Sequence, residues 1–443
     1  MMVVGPYRSY PFAGGKAALY LLRFDKSGTL QSPQTFELLK AEIAAGATDV
    51  FLFSHGWNNT FDEAFARYDS FINGFIAQQQ QFSLPTPQPY RPVLIGVIWP
   101  STSFVMPWEN GPVIAAVPAD QARTAEEMTR LITAQMSPAD AARFAELVDG
   151  GAPLGPDDAR EAATLLCTTL PEDGDPDGQV GKPKPEDVLA SWQRIGAKAQ
   201  PVADATDYGT AAPAQPGAGP AAAGLSFDPR DLLRMGTVWT MHTRAGTVGA
   251  NGVSRLVQWV LDRPNAPRLH LIGHSFGAKV VLSALSVGDA PAHKARSMLL
   301  LEPAINRWCF APLVTGSGAP GGYHVALERL ESPIFTTFSS HDQPLHEVFQ
   351  LVIRDVGELQ IAAIGDTDRY GALGGYGPNG LDALGHTLPA LDAGSGHYDV
   401  PAGVRVVGVD GGVELSGGTA IKGHGDVSTP VTWWALHELT RLE

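Results

Sequence analysis

The sequence predicts an α/β fold: an open, mostly parallel sheet flanked by helices and joined by helical crossovers. Three observations predict it. Short apolar runs rich in β-branched residues are bounded by turn formers, helical patterns lie between most of them, and the runs are continuously hydrophobic rather than alternating, as strands buried on both faces are. The strand candidates are residues 17–24, 49–54, 92–99, 236–243, 268–273, 297–302, 334–339 and 404–409. Val253, Leu256, Val257, Val260 and Leu261 mark one face of a helix by their i, i+3, i+4, i+7, i+8 spacing. Residues 276–287 form a second apolar helix that leaves a strand directly.

One interval breaks this rhythm. Between residues 101 and 234 the chain reads as short helices, with Ser137-Pro138 a helix start leading into 141–148, and similar patterns at 156–166 and 185–195. Residues 171–186 are acidic and rich in Pro and Gly, and 210–224 are almost wholly Ala, Pro and Gly. The latter has too little apolar surface to offset its ordering entropy, which predicts a mobile linker. The expected organisation is a core at 1–100 and 235–443, with 101–234 a helical insertion that forms either a cap or a surface appendage. A Gly-rich stretch, 365–403, separates the last two strand candidates.

Composition narrows the function classes. The 443 residues carry 31 Lys and Arg against 46 Asp and Glu, a formal charge of −15, and no basic cluster stands out, which argues against a nucleic-acid partner. Hydrophobic residues make up 44%, enough for a substantial core. The two cysteines, Cys167 and Cys309, cannot make a disulfide framework or a four-thiolate zinc site. Pro6, Arg8 and Pro11 interrupt the start of the chain where a secretory signal needs an apolar stretch, and no run is long enough to span a bilayer; the expectation is a soluble, cytoplasmic protein.

The chemistry centres on Gly273-His274-Ser275-Phe276-Gly277, a G-x-S-x-G turn with an apolar strand before it and a helix after it. Such a turn holds its serine in a strained conformation, and Gly273 and Gly277 supply the space that its neighbours need. A second strand end, Ser54-His55-Gly56-Trp57-Asn58-Asn59, places a backbone N–H beside that serine, so the amides of Trp57 and Phe276 are the candidate donors to an oxyanion. The place of His55 at the strand end favours a structural hydrogen bond over catalysis, and Asn58 and Asn59 are candidates to brace the loop.

A serine hydroxyl needs a histidine to take its proton and an acid to orient that histidine. The acid should end a strand after the serine: Asp342 fits, and Glu302, one strand earlier, is the alternative. The base should lie between the last strand and the C-terminal helix, where His424 stands; His386 and His397, in the Gly-rich stretch, are the alternatives. Trp57, Trp99, Phe104, Trp108 and Phe276 either wall an acyl pocket or cap the core.

These motifs together resemble the α/β-hydrolase superfamily, and within it an esterase-like group with a His-Gly-aromatic-Asn loop (His55 to Asn58), a Trp-Pro-Ser strand end (Trp99 to Ser101) and a Gly-His-Ser-x-Gly elbow. The likeness covers residues 10–100 and 236–443. It implies an eight-stranded, mostly parallel sheet, a Ser275–Asp342–His424 triad and hydrolysis of carboxylic esters, with a small-molecule or lipid ester as substrate. The rival readings are an acyltransferase using the same acyl-enzyme, and a catalytically silent member that binds a partner. Asp173 begins an apparent calcium loop, but its twelfth position is Lys184, so it fails as one. No zinc, dinucleotide or phosphate-loop motif appears, and no metal or cofactor is expected.

Overall fold

The computed structural model describes residues 4–12, 15–86, 89–102, 118–149, 151–170, 183–198, 227–315, 318–349 and 371–441. Nine strands form one sheet: β1 Arg8–Phe12, β2 Gly15–Arg23, β3 Asp49–Ser54, β4 Pro92–Ile98, β5 Arg268–His274, β6 Ser297–Leu301, β7 Ile334–Phe338, β8 Gly385–Pro389 and β9 Val406–Asp410. Their order is β1-β2-β4-β3-β5-β6-β7-β9-β8. Only the β1–β2 pair is antiparallel; all the others are parallel. A short ribbon, β10 Glu414–Leu415 and β11 Gly418–Thr419, follows.

Two of the nine strands differ from the sequence expectation, which counted eight. Strand β1 carries Pro11 and exposes alternate residues, and β8, inside the Gly-rich stretch, is largely exposed; neither has the continuous apolar run of an inner strand. Conversely, residues 236–243 are not a strand. They lie within helix α7, Pro229–Val248, which Asp228 caps by accepting from the Arg230 amide and which has Pro at its start. This helix is buried on nearly every side, so its Thr, Val, Trp and Met residues read like an inner strand. It also runs through the expected junction at 234 and 235.

Helices cover both faces. One face carries α1 (Pro33–Ala44), α7, α8 (Ser254–Leu261) and α9 (Phe276–Ser286); the other carries α2 (Phe61–Gln81) and the C-terminal helix Pro430–Thr440. The helices of the insertion, α3 (Pro118–Thr133), α4 (Pro138–Val148), α5 (Pro156–Cys167) and α6 (Pro185–Lys198), stack on α7. Ile132, Phe144, Leu166 and Trp192 join the same core as Leu52 and Ile95 of the sheet, and Gly236 is the point where Ile132 and Leu166 approach α7 most closely. The described part of the insertion therefore thickens one side of the core. Residues 171–182, most of the expected acidic stretch 171–186, and 199–226, which hold the expected linker, lie outside the described residues, while Pro185 and Glu186 open α6. Cys167 and Cys309 are buried and in no disulfide. Among the described residues no helix is long and apolar enough to cross a membrane.

At the N-terminal end of the sheet the Asp49 carboxylate binds Arg268 at 2.7 Å and His270 Nε2 at 3.2 Å, while His270 Nδ1 meets Ser297 Oγ at 2.8 Å. Burial raises the Asp49 pKa, but the hydrogen bonds from His270, Arg268 and Thr48 outweigh it and leave the carboxyl below its ordinary range. Its contribution to stability is thus present above the ordinary carboxylate range and is lost as pH falls through the lowered value. Asp49→Asn is expected to cost about 2–3 kcal/mol, less than a fully buried pair because Arg268 keeps some solvent contact. Urea unfolding at neutral pH measures it.

Candidate active site

Strand β3 feeds α2 on one face of the sheet, whereas its neighbour β5 feeds α9 on the other. Connections that leave adjacent parallel strands to opposite sides open a crevice at the strands' carboxyl ends, where such sheets bind ligands. The loops His55–Asn59 and His274–Gly277 meet there. Ser275, between β5 and α9, has φ 54° and ψ −124°, a strained geometry for a residue with a side chain. Its amide donates to Leu301 O at 3.0 Å, which pins the turn to β6. A Cβ on Gly277 would sit on the carbonyl oxygens of Ser54 and His55, and one on Gly56 would come within 2.8 Å of Ser275 Cβ. The expected role of Gly277 is thus met by close backbone approach.

The structure brings His424 and Asp342 to this serine. His424 Nε2 lies 2.8 Å from Ser275 Oγ, and His424 Nδ1 lies 2.8 Å from Asp342 Oδ2. A carboxylate only accepts, so the Nδ1 proton belongs to that bond and Nε2 faces the serine hydroxyl as an acceptor. Asp342 is fully buried just past β7, and its second oxygen accepts from the Leu345 amide at 3.0 Å. Ser339 ties the two loops together: its hydroxyl donates to Ile421 O at 2.8 Å and accepts from the His341 amide at 3.1 Å. The loop of His424 is closed by the Lys422 amide donating to Asp426 Oδ2 and the Asp426 amide to Gly423 O. Thr429 and Thr432 then form a reciprocal cap on the C-terminal helix.

No protein-family model, no curated protein and no solved structure matches this chain.

Glu302, the alternative acid, lies at the end of β6 with no exposed surface, and neither of its carboxyl oxygens has a hydrogen-bond partner among the described residues. It is near the imidazole but not bonded to it. His386 is exposed on β8, and His397, exposed at the surface, engages Glu438 Oε1 at 2.8 Å. Trp57 lines a cavity of about 1,020 Å³ with Asn58, Arg67, His341, Lys422 and His424, and its ring lies 6.1 Å from that of Phe276. Trp99 is a core residue instead. Phe104 and Trp108, like Asp173, lie outside the described residues.

His55 takes the structural part expected of it. Its Nδ1 donates to Gly56 O at 2.9 Å, its Nε2 accepts from the Trp99 amide at 3.3 Å, and its ring stacks on Trp99 at 5.5 Å. Asn59 Nδ2 donates to Gly56 O and Trp57 O and its Oδ1 accepts from Arg67 Nε at 2.6 Å, while the Asn58 amide donates to Ser101 O at 2.8 Å. These bonds fix the loop that carries the Trp57 amide.

Three supporting residues escaped the sequence reading. Tyr68 on α2 accepts from the His55 amide and donates to Val97 O, and no motif singles it out in the sequence. Ser339 carried no signal beyond its place at a strand end. His274 was visible as the second letter of the elbow, and its Nε2–H donates to His424 O at 2.8 Å. Burial drives the His274 pKa well down, with the nearby His424 and Arg67 acting in the same direction.

His274, Glu302 and His424 have ligand-type atoms within 4.8 Å of one another. Both nitrogens of His424 already serve Ser275 and Asp342, which leaves two residues where zinc sites draw on three or four. The donor set does not fit a resident metal.

Buried neutral histidines make the fold acid-sensitive. Burial lowers His55 and His437 to about 4 each. Between the unfolded value near 6.5 and that folded value the unfolded chain holds more protons, so stability falls as pH falls, by about 1.4 kcal/mol per pH unit per group. Unfolding at pH 5 is expected to need clearly less urea than at pH 7, and His55→Ala should flatten part of that dependence.

Proposed function

We propose that this chain is an α/β-hydrolase that cleaves carboxylic esters through an acyl-enzyme on Ser275. The observation that carries this reading is the unbroken chain of contacts Asp342–His424–Ser275, 2.8 Å at each link, with the serine in a strained turn at the head of a helix. That arrangement suits a nucleophile, a general base and an orienting acid.

In the proposed cycle Ser275 Oγ attacks the ester carbonyl as His424 Nε2 takes its proton. The imidazolium forms opposite the Asp342 carboxylate. The developing oxyanion is met by the amides of Trp57 and Phe276; the latter opens α9, where helix amides have no acceptor within the helix. His424 then gives its proton to the leaving alkoxide, and water repeats the sequence to release the acid. The insertion is proposed as an appendage to the α7 side rather than a cap, because none of the described residues of α3–α6 lines the cavity beside His424.

A fluorophosphonate probe and p-nitrophenyl acetate test the reading. The expected results are stoichiometric labelling, mapped to the peptide that carries Ser275, and turnover abolished by labelling. Folded protein that neither labels nor turns over the ester would overturn it.

A further inference from the structure

Glu302 lies beside the proposed triad and takes no part in the proposed cycle. Its position is unusual for an acid. It ends β6, between the strand that delivers Ser275 and the strand that delivers Asp342, and it has no exposed surface. Its backbone sits at φ 42°, its amide donates to Thr337 Oγ1 at 3.0 Å, and the short turn Leu373–Tyr376 presses on it so closely that a Cβ on Gly374 would meet its backbone. Packing thus holds the carboxyl in place, yet neither oxygen has a hydrogen-bond partner among the described residues. One oxygen is within 4.8 Å of a ring nitrogen of both His274 and His424.

The groups that face it are His274 at the end of β5, Asp342 after β7, and His424 and Asp426 in the loop before the C-terminal helix. Burial raises the Glu302 pKa well above the carboxylate range, and the charges of Asp342 and Asp426 raise it further. Two carboxylates cannot both ionise cheaply in so buried a space. Asp342 is the carboxylate that accepts from His424 Nδ1–H, and Glu302 is not.

We propose that Glu302 is a reserve acid of the His424 site: neutral while Asp342 is charged, and able to take over the stabilisation of the imidazolium when Asp342 is not. This rests on the ester-hydrolase reading. Glu302 is a positioning residue here, acting on the substrate only through His424. Removing the Asp342 charge lifts a charge that opposes the ionisation of Glu302, second to burial, and an imidazolium at His424 then favours a Glu302 carboxylate, its proton released to solvent.

The test compares Glu302→Gln, Asp342→Asn and the double variant on p-nitrophenyl acetate, with Ser275→Ala alongside. Glu302→Gln, a neutral isostere, is expected within about threefold of wild type with an unchanged pH profile. Asp342→Asn should lose roughly 10³–10⁴-fold, and the double variant at least about tenfold more, the effect of deleting a buried charge beside an imidazolium. The residual activity of Asp342→Asn should also gain an ascending limb with pH that wild type lacks. A double variant as active as Asp342→Asn overturns the proposal, as does a Glu302→Gln loss as large as that of Asp342→Asn. If Glu302→Gln does not fold, the pH profile of Asp342→Asn decides: a limb identical to wild type overturns the proposal. Activity that survives Ser275→Ala would instead overturn the ester-hydrolase reading, and the reserve acid with it.

Discussion

Ser275→Ala is expected to lower ester turnover by roughly 10⁵–10⁶-fold, because a nucleophile and its base act as one unit and the loss of either removes nearly all of their combined effect. The protein should remain folded. Alanine fits the space of the serine, and the backbone geometry at φ 54° is as strained for alanine as for serine. Ser275→Gly separates chemistry from strain. It should be equally inactive but about 1 kcal/mol more stable than Ser275→Ala, since glycine adopts this region without steric penalty, and that relief exceeds its greater loss of chain entropy. Urea unfolding of the two variants, together with their turnover numbers, checks both halves. Activity retained in Ser275→Ala would mean that hydrolysis occurs elsewhere. Equal stability of the Ala and Gly variants would mean that the turn stores no strain.

The inner strands of this fold are legible in the sequence because each is buried on both faces, and only apolar residues survive there. Strands β3 to β7 lie within about a residue or two of the expected runs for that reason. The outer strands are not legible by the same rule. Strand β8, Gly-His-Thr-Leu-Pro, is set by pairing to β9 rather than by its own composition, and β1 is set by its hairpin to β2. Helix α7 is the opposite failure, since burial all round erases the polar stripe that marks a helix on a surface. In the candidate site, the residues legible in advance are those near strand ends, Ser275, Asp342 and the His55–Asn59 loop, and His424, placed by the loop before the C-terminal helix. What could not be read was how loops distant in sequence are tied. Ser339 to Ile421 and His274 to His424 are contacts between side chains and carbonyl groups, and a carbonyl carries no residue-specific signal. The choice between Asp342 and Glu302 was likewise open in the sequence, because both end adjacent parallel strands. In the structure the imidazole leans to Asp342.

His424→Ala is expected to lose about as much as Ser275→Ala, roughly 10⁵–10⁶-fold, and the Ser275→Ala/His424→Ala double variant should be no worse than either alone. The argument is geometric. Nδ1–H is committed to Asp342 Oδ2 and Nε2 is turned to Ser275 Oγ, each at 2.8 Å, so His424 is the imidazole set to act as a base at that oxygen. The nearest other imidazole, His274, directs its Nε2 to His424 O, and its burial disfavours a protonated ring. His424→Ala also frees one oxygen of a fully buried Asp342 from its partner, so a stability loss of about 1–3 kcal/mol should accompany the loss of rate. His386→Ala and His397→Ala form the control. The first is an exposed edge-strand residue, and the second belongs to a surface pair with Glu438 worth about 0–1 kcal/mol. Both should turn over p-nitrophenyl acetate within about twofold of wild type. Comparable losses in either control would mean that the imidazole beside Ser275 is not the base, whatever its distance from the hydroxyl. Additive losses in the double variant would mean that serine and histidine do not act in one step.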